Sequence, residues 1–382
     1  MKILIGSNVH WWNAEAEYAA KIAQLLHQVG HKVFILTRPN SVNSQKLTSL
    51  GLPLVENINL NSKNPFKLFF SYQKLKKFID DEKIDLINPH RSEGFPLFVF
   101  AALSARSKRH GDQIAIVRTR GTTRLLRNNW LNRKMHTDWT DYHITAGEII
   151  SRQLMITVPK IRKKIKTIYF PADCTKLSRR PIKTFLKEFE IPENCRALSV
   201  VGRIRPVKGQ RILVKVFNKL LSEFSDLILL IAYRDTSENE PEMIALREDL
   251  KRLNLIEKVR LIPEREDILQ IMKFTSLGIV SSVDSEVICR VAMEFFSVGT
   301  PVVAFPTGCL PEIIRHRQNG MLAKNKTLES LEVEIRNVLS NPELSDRISQ
   351  GALKDAEVRF DPKITLDQTL EVFMSAVSSC RK

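Results

Sequence analysis

The sequence has no long hydrophobic run: nothing approaches the roughly 18 consecutive apolar residues that a membrane-spanning helix needs, so no such helix is expected. Its five cysteines, at 174, 195, 289, 309 and 380, are scattered, odd in number and without metal-type pairing. That excludes a disulfide or zinc framework and favours a reducing cytoplasm. The opening Met1-Lys-Ile-Leu-Ile-Gly6 reads as a short buried strand, not a signal peptide, because polar residues follow at once. No Asp-x-Asp pair occurs, so a metal chelated by one is not expected. Neither a Walker loop nor the Gly-x-Gly-x-x-Gly of dehydrogenases is present. Helix-turn-helix, zinc and RNA-binding signatures are missing, and the basic stretches read as lacking interleaved aromatics, so no nucleic-acid partner is expected.

What is present is unevenly distributed. The 382 residues carry a net charge of +17. Residues 1–186 hold 31 Lys and Arg against 13 Asp and Glu, while the remainder holds 28 against 29. All the excess positive charge therefore lies in the first half, which implies an anionic partner met there: a phospholipid surface or a charged glycan. Hydrophobic residues at 43% and charged residues at 26% describe a globular chain, long enough for two domains.

Short β-branched runs alternate with helix-period segments throughout, which predicts an α/β fold with parallel sheets. The first series of strands is expected at 2–6, 32–36, 84–88, 114–119, 142–145 and 167–170. A second series is expected at 197–201, 227–232, 259–262, 277–280 and 301–304, with an amphipathic helix over 365–377. The proline-flanked polar stretch 171–192 reads as a linker. The expected division is thus a strongly basic domain over 1–186, a second domain over 187–364 and a terminal helix over 365–382.

Two motifs carry chemistry. Gly202-Arg203-Ile-Arg-Pro-Val-Lys208-Gly209 follows a strand and precedes a helix. Its two cations and open helix start suit a diphosphate. The second motif, Ser285-Glu286-Val287-Ile288-Cys289-Arg290, runs on through Glu294 to Gly299-Thr300-Pro301. One glutamate stands before an apolar helical stretch and another within it, where packing alone gives a carboxylate no reason to be.

Together with Gly308-Cys-Leu-Pro-Glu312, these motifs resemble the retaining glycosyltransferases of family 4, which have the GT-B fold of two Rossmann-like domains. The resemblance implies an acceptor site in 1–186, a donor site in 187–364 and a tail, 365–382, that crosses back to the first domain, with a nucleotide-diphosphate sugar as co-substrate and no other cofactor. Arg203 and Lys208 would neutralise its diphosphate, with Gly202 shaping the loop. Glu286 would bind the donor sugar, and backbone N–H groups from Val287, Ile288, Cys289 and Arg290 would meet the phosphate end. Glu294 would hold the ribose, some 12 Å farther along if all eight residues were helical. Pro263, Glu264 and Ile268 would lie at the nucleobase, and His90 would face the transferred sugar. In the first domain Arg118, Arg120 and Arg124, with Trp11 and Trp12, would meet the acceptor or an anionic membrane surface. The acceptor implied is an anionic glycolipid or glycan such as lipopolysaccharide core, reached from the cytoplasmic face of the plasma membrane.

The sequence departs from that family in places. Val287 to Arg290 replace a glycine-rich stretch, and Val9 to Glu15 replace a glycine pair after the first strand. Ala232-Tyr233-Arg234-Asp235 stands where Gly-x-Gly is usual. A nucleotide-sugar epimerase and a non-catalytic sugar-nucleotide or glycan-binding module are the alternative readings.

Overall fold

The structure, a computed structural model, describes residues 1–108, 114–127, 129–172, 182–234, 236–284 and 286–380. Cys174, Asp235, Ser285 and most of the expected linker lie outside the described residues. The chain forms two compact units, Met1–Phe170 with Pro362–Lys382, and Pro171–Asp361.

The first unit is built on seven parallel strands: β1 (Lys2–Ser7), β2 (Lys32–Thr37), β3 (Leu54–Val55), β4 (Leu86–Pro89), β5 (Ala115–Arg120), β6 (Tyr142–Thr145) and β7 (Ile165–Thr167). Their order is β3-β2-β1-β4-β5-β6-β7. The direction of winding reverses between β1 and β4, the place where open α/β sheets bind ligands. β7 lies earlier than the 167–170 expected, because Ile165 pairs with His143 and Thr167 with Thr145, after which the chain leaves the sheet.

The terminal helix Pro362–Cys380 packs on this unit: Thr365 Oγ1 donates to the Tyr169 carbonyl at 3.4 Å and Lys166 pairs with Glu371 at 2.5 Å.

The second unit has six parallel strands: β8 (Arg196–Val201), β9 (Leu227–Ala232), β10 (Val259–Ile262), β11 (Leu277–Val280), β12 (Val302–Ala304) and β13 (Met321–Leu322). Their order is β10-β9-β8-β11-β12-β13, reversing between β8 and β11. This unit begins before residue 187. Phe185 and Leu186 of the helix Ile182–Glu188 are buried against Ala197, Ile228 and Leu230, so the helix belongs to the second core. The strands read as near-continuous apolar runs because helices cover both faces; all six residues of β9 are buried.

Candidate active site

In the second unit the site is assembled where β8 and β11 diverge. β8 leads through Gly202 into a turn at Pro206–Lys208 and then the helix Gln210–Leu220. Gly209, at the helix start, has φ +69°, and a Cβ there would lie 2.1 Å from the Ser281 carbonyl oxygen. Only glycine lets the two loops approach so closely. They are then stitched together: the Val283 N–H donates to the Val207 carbonyl at 3.0 Å, and Ser281 Oγ donates to the Lys208 carbonyl at 2.9 Å.

This contact delivers Lys208 to Glu286. The Lys208 ammonium donates to Glu286 Oε1, which also accepts from Ser282 Oγ at 2.6 Å. Glu286 is 7% exposed, and a carboxylate so buried requires such partners. Its backbone is fixed as well, since its carbonyl accepts from the Cys309 N–H at 2.7 Å. Gly308 makes room for this, with φ +58° and a position where a Cβ would fall 1.8 Å from that carbonyl oxygen. Thr307 Oγ1 donates to the Ser282 carbonyl at 2.7 Å. Arg203 is half-buried, and its carbonyl accepts from Gln210 Nε2 at 2.8 Å.

The second glutamate differs from expectation. The helix begins only at Arg290, after Cys289 in the left-handed region at φ +55°. Four helical residues separate Arg290 from Glu294, a rise of about 6 Å, not the 12 Å of an eight-residue helix. Glu294 does not face the core either. The side chains of Ala292, Met293, Phe295 and Phe296 do, while Glu294 sits half-buried and accepts from Arg290 Nη1 at 2.8 Å. Ile288 and Cys289 are buried and Val287 is half-buried. Burial raises the Cys289 thiol well above its ordinary range, with neighbouring Cys309 adding to it.

Pro263 and Glu264 follow the edge strand β10 and are exposed, whereas Ile268 packs partly against the Phe185 cluster. β10 stands three strand spacings, roughly 14 Å, from β11.

In the first unit, parallel pairing brings the loops after β1, β4 and β5 to one edge of the sheet. Asn13 caps the helix Ala14–Gln28 through Oδ1, and Glu15 follows in its first turn. Glu15, 7% exposed, accepts from an Arg91 Nη1 donor and from the Gly121 N–H at 3.0 Å. One carboxylate thereby ties three strand ends together, a role nothing in the local sequence marked. Trp11 is 64% exposed with its ring edge-on to His10, and Trp12 is half-buried.

His90 is buried, with Nε2 2.8 Å from Asn88 Oδ1. The Asn88 amide nitrogen donates to the Val117 carbonyl and to Thr119 Oγ1, which leaves Oδ1 as an acceptor. His90 therefore carries its proton on Nε2 and a lone pair on Nδ1. Burial, then the Arg118 charge, lowers its pKa to about 3.

Arg118 and Arg120 do not lie on a surface. They are 2% and 4% exposed, because β5 is an interior strand covered on both faces. Arg118 stacks on Phe95 with its guanidinium 4.2 Å from the ring centre, and donates to the Arg91 carbonyl. Burial, with Arg120 beside it, lowers its pKa to about 9. Arg120 donates to the carbonyl of Arg124, whose own side chain is exposed. Neither Arg118 nor Arg120 can touch a membrane surface in this conformation.

Sequence reading missed Ser282, Thr307, Gln210 and Glu15. The serine pair closing β11 was the available signal for the first, since a strand's carboxyl end in such sheets faces the ligand.

Residues 9–123 match the family model described as Glycosyl transferase 4-like, and residues 181–355 match Glycosyl transferases group 1. A D-inositol 3-phosphate glycosyltransferase from Nocardioides sp. is 24% identical over 254 residues, covering 63% of this chain and 55% of that protein. The chain spans about half the length of the curated relatives it matches. Among solved structures, a glycosyltransferase from Rickettsia africae superposes with a TM-score of 0.86 at 18% identity, over 98% of both chains. Anabaena Alr3699/HepE, solved with UDP and glucose, gives 0.80 at 19% identity, over 98% of this chain and 100% of that one. The two halves of the chain therefore have the fold of the two domains of a GT-B glycosyltransferase, the first half matching a 4-like model and the second a group 1 model.

Proposed function

We propose that this protein is a retaining, metal-independent glycosyltransferase that moves a sugar from a nucleotide-diphosphate sugar to an anionic glycolipid or glycan on the cytoplasmic face of a membrane. The observation that carries the reading is the Lys208–Glu286–Ser282 group at the β8/β11 divergence. A cation and a carboxylate held together there match the two ends of one donor, a diphosphate and a sugar bearing hydroxyls.

In this reading Arg203 and Lys208 neutralise the diphosphate as it departs. Glu286 accepts hydrogen bonds from donor-sugar hydroxyls, Glu294 from the ribose, and the loop carrying Pro263 and Glu264 meets the base. The bond from the sugar's anomeric carbon to the diphosphate oxygen breaks. The acceptor oxygen bonds to that carbon on the same face, and its proton passes to the leaving phosphate. His90, neutral with a lone pair on Nδ1, offers an acceptor to a sugar hydroxyl. An epimerase would make no use of the basic first half, and both matched family models are of transferases.

The test is a thermal-shift panel of UDP, GDP, ADP and CDP, followed by nucleotide release from the matching sugar donor with and without glycolipid acceptors, in chelator. Acceptor-dependent release in chelator, with the donor's anomeric configuration kept in the product, is expected. Tight binding without turnover on any acceptor would leave a binding module. Conversion of the sugar nucleotide without acceptor would establish an epimerase.

A further inference from the structure

The helix Pro65–Asp81 in the first unit exposes more hydrophobic surface than its packing accounts for. It buries Ser71, Leu75 and Ile79, one residue per turn. On the other side Phe66, Phe69 and Phe70 are 76%, 56% and 64% exposed. Their spacing of three and four residues puts them on one face. The first turn is firmly held: Pro65 opens it, and Asn64 Oδ1 accepts from the Phe66 N–H at 2.9 Å and the Lys67 N–H at 3.2 Å. The rings thus follow directly on a capped helix start, and a clustered apolar face of this kind marks an interaction site.

The charge around the rings identifies the partner. From Asn57 to Ile79 the sequence has no Asp or Glu and five lysines, at 63, 67, 74, 76 and 77. Lys67 and Lys74 flank a groove of about 420 Å³ beside Phe70, whose lining includes Asn59, Ser62 and the carboxylate of Glu56. The sequence reading of the basic stretches overlooked this segment, where aromatics and lysines interleave.

We propose that this face docks on an anionic phospholipid bilayer, Phe66, Phe69 and Phe70 entering the headgroup boundary and Lys67 and Lys74 holding lipid phosphate. Apolar insertion with surrounding cations is the physical pattern of interfacial helices. The inference deepens the proposed acceptor reading by locating the membrane contact on this helix instead of at Arg118 and Arg120. Vesicle binding needs neither donor nor acceptor, so it succeeds or fails independently of transfer.

The experiment is co-sedimentation of the full chain with vesicles of phosphatidylglycerol in phosphatidylcholine, and with phosphatidylcholine alone. Binding to the anionic vesicles only is expected. Phe66→Ser/Phe69→Ser/Phe70→Ser should weaken it more than tenfold. Lys67→Gln/Lys74→Gln should weaken it roughly 30-fold at low salt, each lysine near an anionic surface being worth about fivefold. Unchanged thermal melting of both variants, whose altered side chains are exposed, establishes that folding is intact. Equal binding by wild type and both variants overturns the proposal. So does sedimentation velocity showing a dimer that only the phenylalanine variant loses, which would make the face a self-association surface.

Discussion

Glu286→Ala and Glu294→Ala are expected to part company, and the structure sets the size of each effect. Glu294 is held by Arg290 four residues earlier on the same helix, at 2.8 Å. Such a pair contributes about 0.3–0.5 kcal/mol, so the carboxylate gives it up easily. A hydrogen bond from a ribose hydroxyl to a carboxylate contributes about 1.5–3 kcal/mol. The difference leaves about 1–2.5 kcal/mol, so Glu294→Ala should raise the Kd of the nucleoside diphosphate roughly 5- to 70-fold. Glu286 instead restrains the Lys208 ammonium. Removing its carboxylate releases that cation toward the diphosphate, so binding should stay within about threefold while transfer falls roughly 100- to 1,000-fold. Isothermal titration of both variants against the diphosphate that stabilises the wild type most, with initial rates of transfer, measures the split. Glu294→Ala should shift the melting temperature by no more than about 2 °C, the worth of its pair with Arg290. If Glu286→Ala weakens nucleotide binding as much as Glu294→Ala does, the division of roles is wrong.

Gly308→Ala places a methyl group 1.8 Å from the Glu286 carbonyl oxygen at a left-handed backbone position. It should displace the Glu286 loop, costing about 1–2 kcal/mol in backbone strain and at least about tenfold in transfer; wild-type rates would refute the fit. Arg118→Ala leaves the Arg91 carbonyl without its buried donor. It should lower stability by about 2–4 kcal/mol in thermal melts, with vesicle binding by the folded protein unchanged. His90 and His143 have pKa values lowered by burial to about 3 and about 4. The unfolded chain, with histidines near 6.5, binds protons that the fold refuses. Stability is therefore full above about pH 6.5 and lost as pH falls toward about 4, by up to about 1.4 kcal/mol per pH unit for each histidine. Melting temperatures that stay flat from neutral pH to pH 4 would contradict their burial.

The local sequence determined a good deal by itself. Strands such as Leu227–Ala232 and Val302–Ala304 were legible because a strand covered on both faces needs an uninterrupted β-branched and aliphatic run. Gly202, Gly209 and Gly308 were visible as punctuation, and the two glutamates as charges set among apolar residues. What the sequence could not give was partnership. That Lys208 holds Glu286, 78 positions away, follows from β8 and β11 being neighbours, which is decided by strand order. Likewise Arg118 and Arg120 read as surface cations, because a basic run is normally solvated; only their place on an interior strand shows them buried. Nor could the sequence show that the phenylalanines of Pro65–Asp81 are exposed, since hydrophobic pattern gives the period of a helix but not whether anything packs against each face. Short-range chemistry fixes elements and turns; which side chains meet, and which face water, depends on contacts between distant segments that only the folded chain supplies.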